Sequence, residues 1–248
     1  MNSIFSTLLL AGSLVAARPA QAQDTRKVLV VSGMPQESQI AMAGSNVISV
    51  ISDGNLQSLM KNLAAIDPKT VKAVVSFGIA GGLDPALNFG DTVVSTEVIN
   101  DDGKVFPTDP TLSAKAVKAL NRRFVHVFQG PMYGSVTTRY TAASKAALYQ
   151  QSGATSVDDE SEGAAAYAAA NHLPLVVLRT ISDTQSFSLP PLAKDAITTN
   201  GTFDFAAALT SLENDPSQIP ALFETAFGAV RAFGSLFNAR MIVDLGGL

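Results

Sequence analysis

Short runs of aliphatic and β-branched residues recur along the chain, each closed by glycine or a polar turn. KVLVVSG (27–33), NVISVIS (46–52), VKAVVSFG (71–78), GDTVVSTEVIN (90–100), FVHVF (124–128) and LPLVVLRTISD (173–183) read as strands. The runs at 27–33 and 71–78 are continuous rather than alternating, the pattern of strands buried on both faces. Between the strands, NLQSLMKNLAAI (55–66), LSAKAVKALN (112–121) and AASKAALYQQSG (142–153) carry helical spacing, with Gly153 as a stop. VDDESEGAAAYAA (157–169) gathers acids before alanines, as a helix start does. Alternating strands and helices predict an α/β fold, a three-layer αβα domain with a twisted, mostly parallel central sheet. No repeat or linker divides residues 27–248, so one domain is expected there.

Both ends differ from this pattern. SLPPLAKDAITTNGTFDF (188–205) reads as loop and opens a helical tail over about 202–240. Within the tail, PSQIPALFETAFGAVRAFGSLF (216–237) predicts a long amphipathic helix. Its Leu222, Phe223, Phe227, Val230, Phe233 and Phe237 are expected to pack on the sheet, with a dimer surface or membrane contact as alternatives. At the other end, IFSTLLLAGSLVAA (4–17) followed by AQA (20–22) has the form of a secretory leader, residues 1–22. That form implies a periplasmic protein; no Lys or Arg precedes the run, which keeps a cytoplasmic location as the alternative.

Composition removes several chemistries. The net charge of −4, without any basic run, argues against a nucleic-acid partner. The absence of cysteine excludes disulfides, thiolate metal sites and cysteine nucleophiles. Two separated histidines, His126 and His172, show no metal-binding spacing, so neither a metal nor an organic cofactor is expected. SLMK (58–61) satisfies S-x-x-K but sits inside an amphipathic helix with no K-T-G to follow, and G-x-S-x-G is absent.

Ligands of open α/β sheets bind at the carboxyl ends of strands. Four stretches fall there: GMPQE (33–37), FGIAGG (77–82), VDDE (157–160) and RTISD (179–183). GIAGG permits close backbone approach to a ligand, although it is not G-x-G-x-x-G. Glu37, Glu160 and Asp183 each follow a strand, so one cleft could collect them and divide acid, base and hydroxyl-binding roles. Asp158 and Glu162 read as helix-start and surface charges.

VVSFGIAGGLDPALNFGDTVVSTEVIN (74–100) and VDDESEGAAAYAAANHLPLVVLRTISD (157–183) resemble the two signatures of the nucleoside phosphorylase/nucleosidase superfamily, which includes methylthioadenosine/S-adenosylhomocysteine nucleosidases. VLVVSGMPQES (28–38) is similar to its opening strand and glutamate turn, and the tail resembles that of hopanoid-associated phosphorylases. The resemblance implies cleavage of the N-glycosidic bond of an adenosyl compound, with adenosylhopane ahead of methylthioadenosine as substrate. It assigns Glu37 to the attacking water, Ala80 and Gly81 to the backbone lining base and sugar, Glu160 to the ribose hydroxyls, and Asp183 to purine N7, with Ser182 and Asp159 beside them. Inorganic phosphate is a possible co-substrate, with Gly33, Thr137 and Arg139 as candidates to hold it. Partners implied are a small adenosyl nucleoside or a lipid nucleoside, a membrane surface, and a second copy in a dimer. Two positions depart from the superfamily pattern. Ile79 replaces a hydroxyl residue and Asp159 replaces a methionine, so a binding protein without catalysis is the competing class.

Overall fold

The computed structural model describes residues 24–195 and 205–248, apart from 45, 53, 54, 124, 138 and 140; the expected leader lies outside them. The elements run β1 (Lys27–Ser32), α1 (Pro35–Met42), β2 (Val47–Ile51), α2 (Leu56–Ala64), β3 (Val71–Gly82), β4 (Thr92–Asn100), β5 (Val105–Pro107), α3 (Pro110–Asn121) and β6 (Val127–Gly134). They continue with α4 (Ala142–Ser152), β7 (Ser156–Asp158), α5 (Ser161–Ala170), β8 (Leu175–Asp183), α6 (Pro191–Asp195), α7 (Phe205–Asn214) and α8 (Ile219–Ile242). Five of the eight strand pairings are parallel.

Alternate residues of one strand feed two cores, which is what a sheet covered on both faces requires. Leu29 and Val31 of β1 pack with Leu59 and Leu63 of α2 and with Ala164, Ala165 and Ala168 of α5. Val28 and Val30 face the other way, toward Ala41 of α1, Ala116 and Leu120 of α3, and Leu236 and Ala239 of α8. The three-layer αβα architecture is therefore present. The alanines of α5 bring that helix close to the sheet, and a Cβ on Gly163 would press into Leu59.

Several boundaries move. GIAGG is not a loop: β3 continues through it to Gly82, because its upper half gains β8 along one edge and β7 along the other. The sixth strand begins at Val127 and runs on through Pro131, beyond the apolar run, since Met132 and Tyr133 find partners in β7. GMPQE opens a helix, with Pro35 at a position where its missing N–H is harmless. Part of the 188–205 stretch is helical as α6, and 196–204 lies outside the described residues.

The last helix corrects the expectation most. It does pack on the sheet, but through Gly228, Ala232, Leu236, Ala239 and Arg240. Thr180 of β8 donates to the Ala232 carbonyl (2.9 Å), and Gly228 leaves no room for a Cβ against the Ser182 carbonyl. Small residues allow that close approach, so Phe223, Phe227, Val230 and Phe237 point outward. Among the described residues no helix is long and apolar enough to cross a membrane.

Candidate active site

β3 changes its edge partner within a few residues, and the site is built at that change. Its lower half pairs with β1 up to Ser76, and its tip pairs with β7 at Gly81 and Gly82. Between them the Ile79 N–H faces no strand on that edge. It donates instead to Glu37 Oε1 at 2.7 Å. Glu37 stands at the third helical position of α1 and folds back over the helix start, where Oε2 accepts from Gly33 N–H (2.7 Å) and Met34 N–H (2.9 Å). A helix N-terminus favours such an anion. Glycine is required at position 78, because a Cβ there would overlap both the Glu37 carboxylate and the Arg179 guanidinium.

Arg179 is the centre of the arrangement, and it was not among the sequence candidates. It lies fully buried in β8. Nη2 donates to Ser76 Oγ (2.6 Å) and Nη1 to the Ile79 carbonyl (3.3 Å). Nη1 is also 3.3 Å from Glu160 Oε2. Nε lies 2.8 Å from Asp158 Oδ2 at an angle too bent for a hydrogen bond, so that contact is an ion pair alone. Asp158 is thus a buried partner on β7, not a surface charge; it also accepts from Ser161 N–H (3.0 Å) and Ser161 Oγ (2.5 Å). Glu162 accepts from the Asn100 side chain (2.9 Å) and so ties α5 to β4.

Glu160 lies two residues past the end of β7, buried against Gly33, with Ser52 donating to its Oε1 at 3.1 Å. Burial pushes its carboxyl up to about 8; the Arg179 charge opposes this, while Asp158, Glu37 and Asp159 reinforce it. Burial also raises Glu37, against the pull of Arg179 and its three backbone donors. Glu37 and Glu160 therefore sit around one cation in a space poor in water, the condition that separates carboxyl roles.

Asp183 closes β8 on the other side. Its Oδ2 accepts from Ser182 Oγ (2.9 Å), and the same hydroxyl reaches the Ala80 carbonyl (3.2 Å). Its Oδ1 lies 2.5 Å from Lys145 Nζ, which also donates to the Thr184 carbonyl at 2.5 Å. Lys145 comes from α4 and is fully buried. Sequence reading gave it a place in a helix but no role; its place among the alanines of AASKAAL was the available signal. A buried lysine demands a carboxylate partner. A recess of about 300 Å³ adjoins Asp183, lined by Leu87, Phe89, Thr184, Gln185 and Glu224 among others.

The three predicted carboxylates thus meet along Gly78–Gly81. Glu37 is held at Ile79, and Gly81 faces Asp183, where a Cβ would lie 3.4 Å from Oδ1. Those residues span about 10 Å of extended strand. The departure at Ile79 leaves the site's backbone contacts intact, since its N–H and carbonyl both serve there.

The phosphate candidates are engaged elsewhere. Gly33 N–H is taken by Glu37. Arg139 faces Asp101 (3.8 Å), and Thr137 N–H bonds Ser135 Oγ, whose own hydroxyl donates to Asp101. Ser58 and Lys61 of SLMK lie on α2 away from this site. His126 packs edge-on against Phe128, and among the described residues no cluster of His, Asp and Glu is arranged for a metal.

This fold is that of the phosphorylase superfamily, whose model matches residues 21–189, and the chain belongs to that family. Similar solved structures include the Helicobacter pylori 5′-methylthioadenosine/S-adenosylhomocysteine nucleosidase complexed with a substituted pyrrolidin-3-ol. It is 19% identical, covers 79% of this chain and 98% of that one, and has a TM-score of 0.61. Futalosine hydrolase of the same organism is 18% identical over 80% of this chain and 99% of its own, at 0.61. A putative nucleosidase of the first type from Francisella philomiragia is 15% identical over 88% and 100%, at 0.63. No curated protein sequence matches the chain.

Proposed function

We propose that this protein hydrolyses the N-glycosidic bond of an adenosyl compound and releases adenine. The observation that carries the reading is the pairing of two chemically different carboxylate environments along Gly78–Gly81. Glu37 and Glu160 form a desolvated pair around Arg179, while Asp183 is ion-paired with Lys145.

The bond breaks through a cationic, oxocarbenium-like sugar. Glu160 hydrogen-bonds the ribose hydroxyls, and the Glu37 carboxylate stabilises the positive charge growing at the anomeric carbon. One lone pair of Glu37 Oε1 remains after the Ile79 bond, and a water held there loses its proton to the glutamate as it attacks. The electron pair of the broken bond passes to the purine, whose N7 takes a proton from the Lys145 ammonium relayed through Asp183, and the proton gained by Glu37 leaves to solvent as the site resets. Water is favoured over phosphate because the Gly33 N–H is already engaged by Glu37.

Methylthioadenosine is the first substrate to assay, in keeping with the nucleosidases of similar fold. The tail's resemblance to hopanoid-associated phosphorylases makes adenosylhopane the second. Adenine released from either, measured with purified protein, supports the reading. Nucleoside binding without adenine release from either one supports the binding protein instead.

A further inference from the structure

Two serines are buried beside Arg179, and neither takes part in the proposed reaction. Ser76 interrupts the apolar run of β3 between Val75 and Phe77, and Ser161 opens α5 one residue after Glu160; both are fully buried. A hydroxyl in such a place costs stability unless it is hydrogen-bonded. Ser76 Oγ accepts from Arg179 Nη2 (2.6 Å) and lies 2.9 Å from Ser161 Oγ, which reaches Asp158 Oδ2 at 2.5 Å. Asp158 returns to Arg179 Nε at 2.8 Å, and a ring is closed.

The two charged members fix the direction of every hydrogen in the ring. A guanidinium only donates and a carboxylate only accepts. The Ser161 hydrogen is therefore spent on Asp158, so its oxygen accepts from Ser76, whose own oxygen accepts from Arg179. Each hydroxyl gives one hydrogen and takes one. The third guanidinium nitrogen, Nη1, faces the Ile79 carbonyl and Glu160 Oε2. With all three nitrogens engaged, the guanidinium plane is fixed. The ring also closes the turn that carries Glu160. Asp158 Oδ1 accepts from Ser161 N–H (3.0 Å) while Oδ2 takes its hydroxyl. Glu160 thus sits between two ring members along the chain and faces a third through its carboxyl.

We infer that Ser76 and Ser161 are positioning residues for Glu160, and that their hydroxyl chain from Arg179 to Asp158 sets where its carboxyl meets the ribose. The inference rests on the role of Glu160 in the proposed reaction. Alanine at either position removes one oxygen and adds nothing, so the fold survives. Ser76→Ala leaves Nη2 without its acceptor, and Ser161→Ala deprives both Ser76 and Asp158 of a partner. In either variant the guanidinium can tilt and the turn loosens around Glu160.

Recognition of the sugar hydroxyls tests this, because a ratio between two substrates does not depend on how much of a variant is folded. Methylthioadenosine and its 2′-deoxy counterpart are compared by kcat/KM for adenine release and by calorimetric affinity. Wild type prefers the ribose compound. Ser76→Ala and Ser161→Ala each shrink that preference about tenfold. The double variant shrinks it no further than the larger single effect, since one chain is broken once. Ser113→Ala, which removes a buried hydroxyl of α3 outside the ring, leaves the preference unchanged. An unchanged preference in both ring variants overturns the inference. So do effects that multiply in the double variant, or a wild type indifferent to the missing hydroxyl. A protein that binds with the hydroxyl preference yet releases no adenine contradicts hydrolysis alone, and the ring variants are then judged by affinity.

Discussion

Replacing Glu160 with Gln should remove a specific part of the protein's sensitivity to alkali. Arg179 is one cation facing three buried carboxylates, Asp158, Glu160 and Glu37. With all three ionised, the cluster would hold excess negative charge where little water reaches, so the folded protein retains a proton. Glu160 holds it, raised from 4.5 to about 8. The folded state then binds a proton that the unfolded chain has released. Stability from this group is complete below about pH 4.5, and it is lost as pH rises through about 8. A shift of that size corresponds to on the order of 3–5 kcal/mol. Glu160→Gln keeps the shape and can still accept from Ser52, but does not titrate. Urea unfolding of both proteins between about pH 5 and 9 should show wild type losing stability relative to the variant by that amount. Glu37 is raised too and feels the Glu160 charge, so the difference between the two curves reports Glu160 together with its effect on Glu37. Parallel curves would refute the claim that Glu160 carries the cluster's proton.

Other consequences can be checked with the same protein. Lys145→Met strands the Asp183 carboxylate and should destabilise by about 3–5 kcal/mol, most of it recovered when Asp183→Asn is added, as a double-mutant cycle in urea would register. Asp183→Asn alone should lower the rate of adenine release by about 10²–10⁴ while binding of the nucleoside, followed by calorimetry, changes far less. Gly78→Ala forces a methyl group onto Glu37 and Arg179, and should destabilise by about 1–3 kcal/mol in thermal unfolding and abolish turnover.

The fold was legible where the pattern was strong. Strands β1, β3 and β8 announced themselves as apolar runs, and the order of strands and helices was enough for the layers. The tip of β3 was hidden, because GIAGG has the composition of a turn and becomes a strand only when β7 and β8 arrive from far along the chain. The outward face of α8 was misread for a related reason. Periodicity marks an apolar stripe but not which side meets the sheet, and here the glycine and alanines pack inward.

The site divides the same way. Glu37, Glu160 and Asp183 were visible as acids beyond strand ends, and the superfamily motifs gave each a role. Arg179 and Lys145 were overlooked, although an arginine inside LVVLRTISD and a lysine among alanines are both expensive to bury without partners. Asp158 was misjudged as solvated because its partner, Arg179, lies 21 residues away and on the far side of β3.

Central to the account is hydrolysis of a glycosidic bond at the Glu37–Asp183 site, and the sugar product reports on it most directly. Methylthioadenosine turned over in ¹⁸O-labelled water should yield adenine and a free pentose carrying the label at its anomeric carbon, at a rate indifferent to phosphate and lost in Glu37→Gln. Appearance of the pentose 1-phosphate, or intact nucleoside recovered from a protein that binds it, would contradict the account.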